Sequence, residues 1–148
     1  MGSPEPTDVR HTGCLVLIGS HLGENMHNSQ VQEFAEAVGR GVPVIVVDPR
    51  FSVAASKTKH WLPIKPGTDT ALLLAWAQVL IEEGLYRKAW VEQHVEGFEQ
   101  FKAHVAGKTP EWAYLETGIE PQVIRETARE LARNAPAAFV HPGRHVVW

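Results

Sequence analysis

Cysteine is all but missing from this 148-residue chain, where Cys14 is the only one. A single thiol excludes an internal disulfide, a cysteine-rich zinc site and an all-cysteine iron–sulfur cluster on this chain. Long apolar stretches are missing too. No run approaches the roughly 18 residues needed to span a bilayer, so no direct membrane insertion is expected, and the amino terminus shows no signal-peptide pattern. Positive charge is not in excess: 14 basic against 17 acidic residues leave a formal net charge of −3. That balance argues against a nucleic-acid partner held by the overall field. Among eight histidines, no pair combines helical H-x-x-x-H spacing with a nearby third ligand, so no metal ligand is assigned. What the chain does hold is 44% hydrophobic residues, enough for one sizeable core and one compact domain.

Met1 to Thr12 has two prolines and no apolar periodicity, and reads as an irregular leader before a domain spanning 13–148. Cys14 to Ile18 is a short continuous apolar run ending at Gly19, the pattern of a strand buried on both faces. Val31, Phe34, Ala35 and Val38 then recur at helical spacing, with Gly39 and Gly41 punctuating the helix end. A β-branched run, Val42 to Val47, stops at Asp48-Pro49-Arg50 and completes a βαβ unit. A brief helix around Val53 to Lys57 precedes a third short strand, Trp61 to Ile64. Pro66 to Asp69 turns the chain into a strong helix bearing Ala71, Leu72, Ala75, Trp76, Val79 and Leu80 on one stripe. Two short helices follow, Tyr86 to His94 and Phe98 to Val105, the second anchored by Phe98, Phe101 and Val105. Thr109-Pro110-Glu111 is an N-cap with proline at the first helical position. A further amphipathic helix, Pro121 to Arg133, leads to a last strand, Ala137 to Val140. The pattern predicts an open, mostly parallel α/β sheet with helices on both faces.

In such a sheet, ligands bind outside the carboxyl ends of the strands, where the strand order reverses. Polar residues concentrate in the loops that leave those ends. Gly19 and Gly23 would let a backbone approach a pyrophosphate, and the helix starting near Asn28 could offer amide groups to it. Asp48 stands where a carboxylate accepts hydrogen bonds from a ribose. Asp69 could match its two oxygens to two adjacent donors of a guanine edge. Each feature also has a plain structural role. Gly19 can mark a tight turn, Asp48-Pro49 is a common turn opening, and Asp69 can be an N-cap or a first-turn acid on the helix dipole. The spacing Gly19…Gly23 departs from the G-x-G-x-x-G fingerprint of dehydrogenases. The five tryptophans read as core and interface mass, and Cys14 as inert packing.

Together the segments are more specific. Leu17-Ile18-Gly19-Ser20-His21-Leu22-Gly23-Glu24-Asn25, Val46-Val47-Asp48-Pro49-Arg50 and Trp61-Leu62-Pro63-Ile64-Lys65-Pro66-Gly67-Thr68-Asp69 resemble the molybdopterin oxidoreductase family typified by dimethyl sulfoxide reductase. Gly19 to Gln30 and Phe51-Ser52-Val53-Ala54-Ala55-Ser56 are most similar to the catalytic subunits of polysulfide and thiosulfate reductases. The resemblance runs from about Cys14 to the end of the chain. It implies the Rossmann-like domain that grips the guanosine end of one molybdopterin guanine dinucleotide, a cofactor that carries molybdenum in the complete enzyme. It further implies that Gly19, Ser20, His21 and Glu24 line the pyrophosphate loop. Asp48, Pro49 and Arg50 would meet the ribose and guanine, and Gly67, Thr68 and Asp69 the guanine edge. His21 stands where the family often has asparagine. Gly143 matches a glycine-containing loop after the last strand, whereas Arg144 and His145 depart from that loop. Two cationic or cationisable groups there suit an anionic sulfur substrate, with arginine permanently charged and histidine able to deliver a proton.

The resemblance also implies a piece of a longer catalytic subunit. The cysteine motif for a 4Fe-4S cluster, the segment supplying a ligand to molybdenum and the carboxy-terminal domain have no counterpart in this stretch. Partners implied are the remainder of that subunit, an iron–sulfur electron-transfer subunit and a membrane anchor. Such subunits are often exported, and the sequence itself leaves the compartment open. The alternative is a free-standing nucleotide-binding module that uses the same loops for NAD or a similar ligand without redox activity.

Overall fold

The computed structural model describes residues 7–20, 22 and 28–142. They divide into two compact units: one of residues 1–63 with 134–148, the other of residues 64–133.

The first unit is built on β1 (Cys14–Ile18), whose five residues are all buried. That burial explains its unbroken apolar sequence, since a central parallel strand has no solvent-facing side. Chain order then runs through α1 (Asn28–Gly39), β2 (Val44–Val47), a 3-10 turn (Ala55–Lys57), β3 (His60–Leu62) and, after the second unit, β4 (Ala138–Pro142). All pairings are parallel, in the order β3-β2-β1-β4. Leu17 is matched with Val46 on one side and His141 on the other. Strand residues two apart share a face. Leu15 and Leu17 therefore join Val44, Val46, Phe34, Leu22, Ala54 and Ala55 in one apolar cluster.

Several boundaries differ from the sequence expectation, each for a local reason. β2 begins at Val44, because Val42 gives its N–H to Ala37 at the end of α1 and Pro43 has none to give. β3 stops at Leu62, where Pro63 ends the ladder. On α1 the buried alanine is Ala37, while Ala35 faces solvent. Thr7 to Thr12 has no helix or strand, yet Val9 is fully buried in the core cluster. Thr12 Oγ1 donates to the carbonyls of Cys14 and Ala137, clasping the leader to β1 and to the residue preceding β4.

The second unit is helical: α2 (Asp69–Glu82), α3 (Lys88–His94), α4 (Phe98–Val105), α5 (Pro110–Thr117) and α6 (Pro121–Arg133). Ala71, Leu72, Ala75, Trp76 and Val79 form the buried stripe of α2, which packs against α4, α5 and α6. Inside this packing the Trp76 indole donates to Thr127 Oγ1 at 2.9 Å. Thr109 caps α5 by accepting from the Trp112 N–H, with Pro110 at the first helical position. Phe101 does not anchor α4; it is 43% exposed, and Val105 is that helix's buried residue. Arg129 grips Glu83 with two bonds of 2.8 and 2.9 Å. The hydrogen bonds from that guanidinium hold the Glu83 carboxyl below the usual range. No helix among the described residues is long and apolar enough to cross a membrane.

Candidate functional site

β1 and β2 end side by side, with Ile18 opposite Val47. One step further stand Gly19 and Asp48. Gly19 turns the chain with φ 58°, a left-handed conformation that a side chain would strain, and its N–H goes to the Val47 carbonyl. Ser20, next in line, is buried, and its hydroxyl makes no hydrogen bond among the described residues.

Asp48 is only 7% exposed, unusual for a carboxylate. Its Oδ1 accepts the Arg50 N–H at 2.8 Å, an Asx turn that the aspartate–proline opening favours. Its own N–H reaches Leu62 on β3, and its carbonyl accepts the Trp61 Nε1–H at 2.9 Å. The second carboxylate oxygen has no partner among the described residues. The loop beyond is self-braced. Ser52 Oγ accepts from the Ala55 N–H, and Ser56 Oγ donates to the Val53 carbonyl. Pro49 and Arg50 lie exposed on its rim.

The third predicted element, Gly67-Thr68-Asp69, belongs to the second unit and forms the entrance of α2. Gly67 has φ 82° with nothing near its missing Cβ. Thr68 holds the N-cap position, but its hydroxyl donates to the Lys65 carbonyl at 2.6 Å instead of capping. Asp69 is therefore a first-turn acid and not an N-cap. Its carboxylate makes no hydrogen bond or ion pair among the described residues.

The structure thus brings Gly19, Ser20, Asp48, Pro49 and Arg50 to neighbouring carboxyl ends of one sheet. It places Gly67, Thr68 and Asp69 together at one helix entrance. His21, Gly23, Glu24, Gly143, Arg144 and His145 lie outside the described residues. β4 runs beside β1, with Pro142 opposite Ile18. Sequence reasoning missed Trp61, whose indole is bound to Asp48, and Phe51, whose ring packs on Trp61. A tryptophan in a three-residue strand that ends at proline was the available signal. Among the described residues, no three His, Cys, Asp or Glu side chains gather as metal ligands.

A parallel sheet whose strand order turns back beside β1, with glycine and a buried carboxylate at adjacent strand ends, defines a Rossmann-like α/β protein. The chain belongs to the molybdopterin oxidoreductase family, whose model matches residues 2–146. It is 38% identical over 148 residues to the thiosulfate reductase molybdopterin-containing subunit PhsA of Salmonella typhimurium, covering all of this chain and 20% of that protein. It is 36% identical over 146 residues to the arsenate respiratory reductase subunit ArrA of a Shewanella species, covering 81% of this chain and 17% of that one. Among solved structures, acetylene hydratase from Pelobacter acetylenicus superposes with a TM-score of 0.83 at 34% identity, over 90% of this chain and 20% of the other. The chain thus spans about a fifth of the length of these relatives.

Proposed function

We propose that this chain holds the guanosine diphosphate arm of a molybdopterin guanine dinucleotide, as part of a larger catalytic subunit that reduces polysulfide- or thiosulfate-type sulfur compounds. The observation that carries the reading is the pairing of Gly19, at positive φ, with Asp48, whose buried carboxylate has one oxygen with no partner among the described residues. A nucleotide fits those two features. The glycine admits a pyrophosphate close to the backbone, and the open oxygen accepts from a ribose hydroxyl. Gly19, Ser20, His21 and Glu24 serve the pyrophosphate, Asp48, Pro49 and Arg50 the ribose and guanine, and Gly67, Thr68 and Asp69 the guanine edge. When bound, the cofactor supplies the metal-centred two-electron chemistry, and the protein supplies position and electrostatics. The match of this whole chain to one fifth of a thiosulfate reductase subunit supports a sulfur substrate. A 4Fe-4S cluster in the rest of the subunit, an iron–sulfur electron-transfer subunit and a membrane anchor complete the proposed assembly.

Calorimetry with GDP and NAD tests the binding reading. GDP is expected to bind and NAD to bind far more weakly; an NAD preference would assign the chain to free-standing nucleotide modules. Asp69→Ala separates ligand binding from stability. Losing a charge-assisted pair to two guanine donors costs on the order of 1.5–3 kcal/mol of GDP affinity. Because Asp69 makes no capping bond, stability should fall by only about 0.3–1 kcal/mol, the helix-dipole contribution. A stability loss with unchanged GDP affinity would make Asp69 a helix acid alone.

Arg144 and His145 are proposed for the substrate side. In the complete enzyme, Arg144→Ala is expected to impair turnover of thiosulfate or polysulfide while cofactor content stays constant. Unaltered kinetics at full metal loading would return the pair to the surface.

A further inference from the structure

Phe51 is a large apolar side chain that is both exposed and held in place. It is 60% exposed, yet its ring is packed edge-to-face against Trp61, with centroids 4.9 Å apart and planes at 72°. Trp61 is itself fixed, since its indole N–H is bound to the carbonyl of Asp48. Asp48 thereby anchors the aromatic pair through its backbone, while its carboxylate organises the turn through the Arg50 N–H. Carboxylate, indole and phenyl ring form one braced array at the ends of β2 and β3. Two links, the indole hydrogen bond of 2.9 Å and the ring contact of 4.9 Å, tie the phenyl ring to the backbone of the residue whose carboxylate is proposed for the ribose. Holding an exposed ring still is useful when something planar must be laid on it, because the ordering entropy is already spent before binding.

We propose that Phe51 is the stacking platform for the purine base of the bound nucleotide, with Trp61 as the positioning residue that holds its ring. The inference rests on the nucleotide-binding reading above and adds a subsite to it. Stacking uses the π-face that every base presents, so Phe51 would contribute affinity without choosing the base. Choice of base is left to hydrogen-bonding groups. Trp61→Phe keeps a ring against Phe51 but loses the bond to Asp48, and so isolates the positioning role.

The test is calorimetry of the whole chain with GDP, ADP and inorganic pyrophosphate. Phe51→Ala is expected to weaken GDP and ADP by the same factor, about 10-fold, and to leave pyrophosphate binding unchanged. Phe51→Tyr should bind like the parent, and Trp61→Phe should fall between the parent and Phe51→Ala. Because Phe51 is mostly exposed, the thermal midpoint of Phe51→Ala should stay near that of the parent, which confirms folding. GDP binding by the parent with an equal affinity in Phe51→Ala would overturn the platform and point to a protein contact for the pair. An equal loss for pyrophosphate and GDP would overturn it as well, placing the effect on the loop. If the parent binds no nucleotide, the nucleotide-binding reading itself falls, and the platform with it.

Discussion

Leu17→Ala is expected to lower the free energy of unfolding by about 2–5 kcal/mol, the range for emptying a leucine site in a packed core. Leu17 is fully buried in the middle of β1. It is flanked by Val46 on β2 and His141 on β4, and its face packs with Leu15, Phe34 and Val9. Strand backbones on both sides prevent the cavity from closing, so the upper half of that range is expected. Domains of this size are stable by about 5–15 kcal/mol, and the substitution removes a large share. Urea unfolding followed by circular dichroism measures it. A loss within about 0.5 kcal/mol, the level of surface substitutions, would show that the sheet core is not packed as described. Leu115→Ala, at an exposed position of α5, is the matched control and should stay near zero.

Asp48→Ala is expected to reduce GDP affinity by about 100-fold, some 3 kcal/mol. Two losses combine in that figure. The open carboxylate oxygen no longer accepts from the ribose, and the Arg50 N–H loses its acceptor, releasing the turn that shapes the rim. Asp48→Asn separates them, since an amide oxygen can still serve Arg50 while the charge is gone. Its affinity should lie between the two. The alanine variant should also unfold at slightly lower urea, because the turn loses its hydrogen bond to the Arg50 N–H, worth about 1 kcal/mol at this exposed rim. Equal GDP affinity in the parent and both variants, with the parent binding tightly, would remove Asp48 from the ribose site.

Much of this fold could be read from composition along the chain. A five-residue apolar run with no polar alternation admits few homes other than a central parallel strand, and β1 is buried throughout. The sequence pattern predicts a mostly parallel sheet, and β4 pairs with β1 in parallel. What periodicity could not reach were contacts made by single residues. Val9 is one buried side chain in an irregular segment, and one residue has no period. At the entrance of α2, the choice between capping and first-turn acid was settled by the Thr68 hydroxyl turning to Lys65, a rotamer and not a pattern. Phe51 and Trp61 meet across nine intervening positions, so their juxtaposition exists only once β3 has paired with β2. The residue roles assigned to the nucleotide came mainly from resemblance. The structure supplies the neighbourhood of Gly19 and Asp48, while residues 21, 24 and 143–145 fall outside what it describes.

The register Cys14↔Ala138 has a consequence for how the chain assembles. β1, β2 and β3 are close in sequence and can pair early, but β4 arrives only after residues 64–133 have been made. Loop-closure entropy grows slowly with length, and a segment compact in its own right shortens the effective span. The delay matters more than the entropy. Until β4 docks, β1 is a margin of the growing sheet, with unpaired backbone groups along an entirely apolar sequence. Such an open margin accepts a strand from another chain as readily as its own. Nascent chains halted between β3 and β4 are therefore the species most exposed to intermolecular strand pairing, and completion of β4 acts as the molecule's own seal.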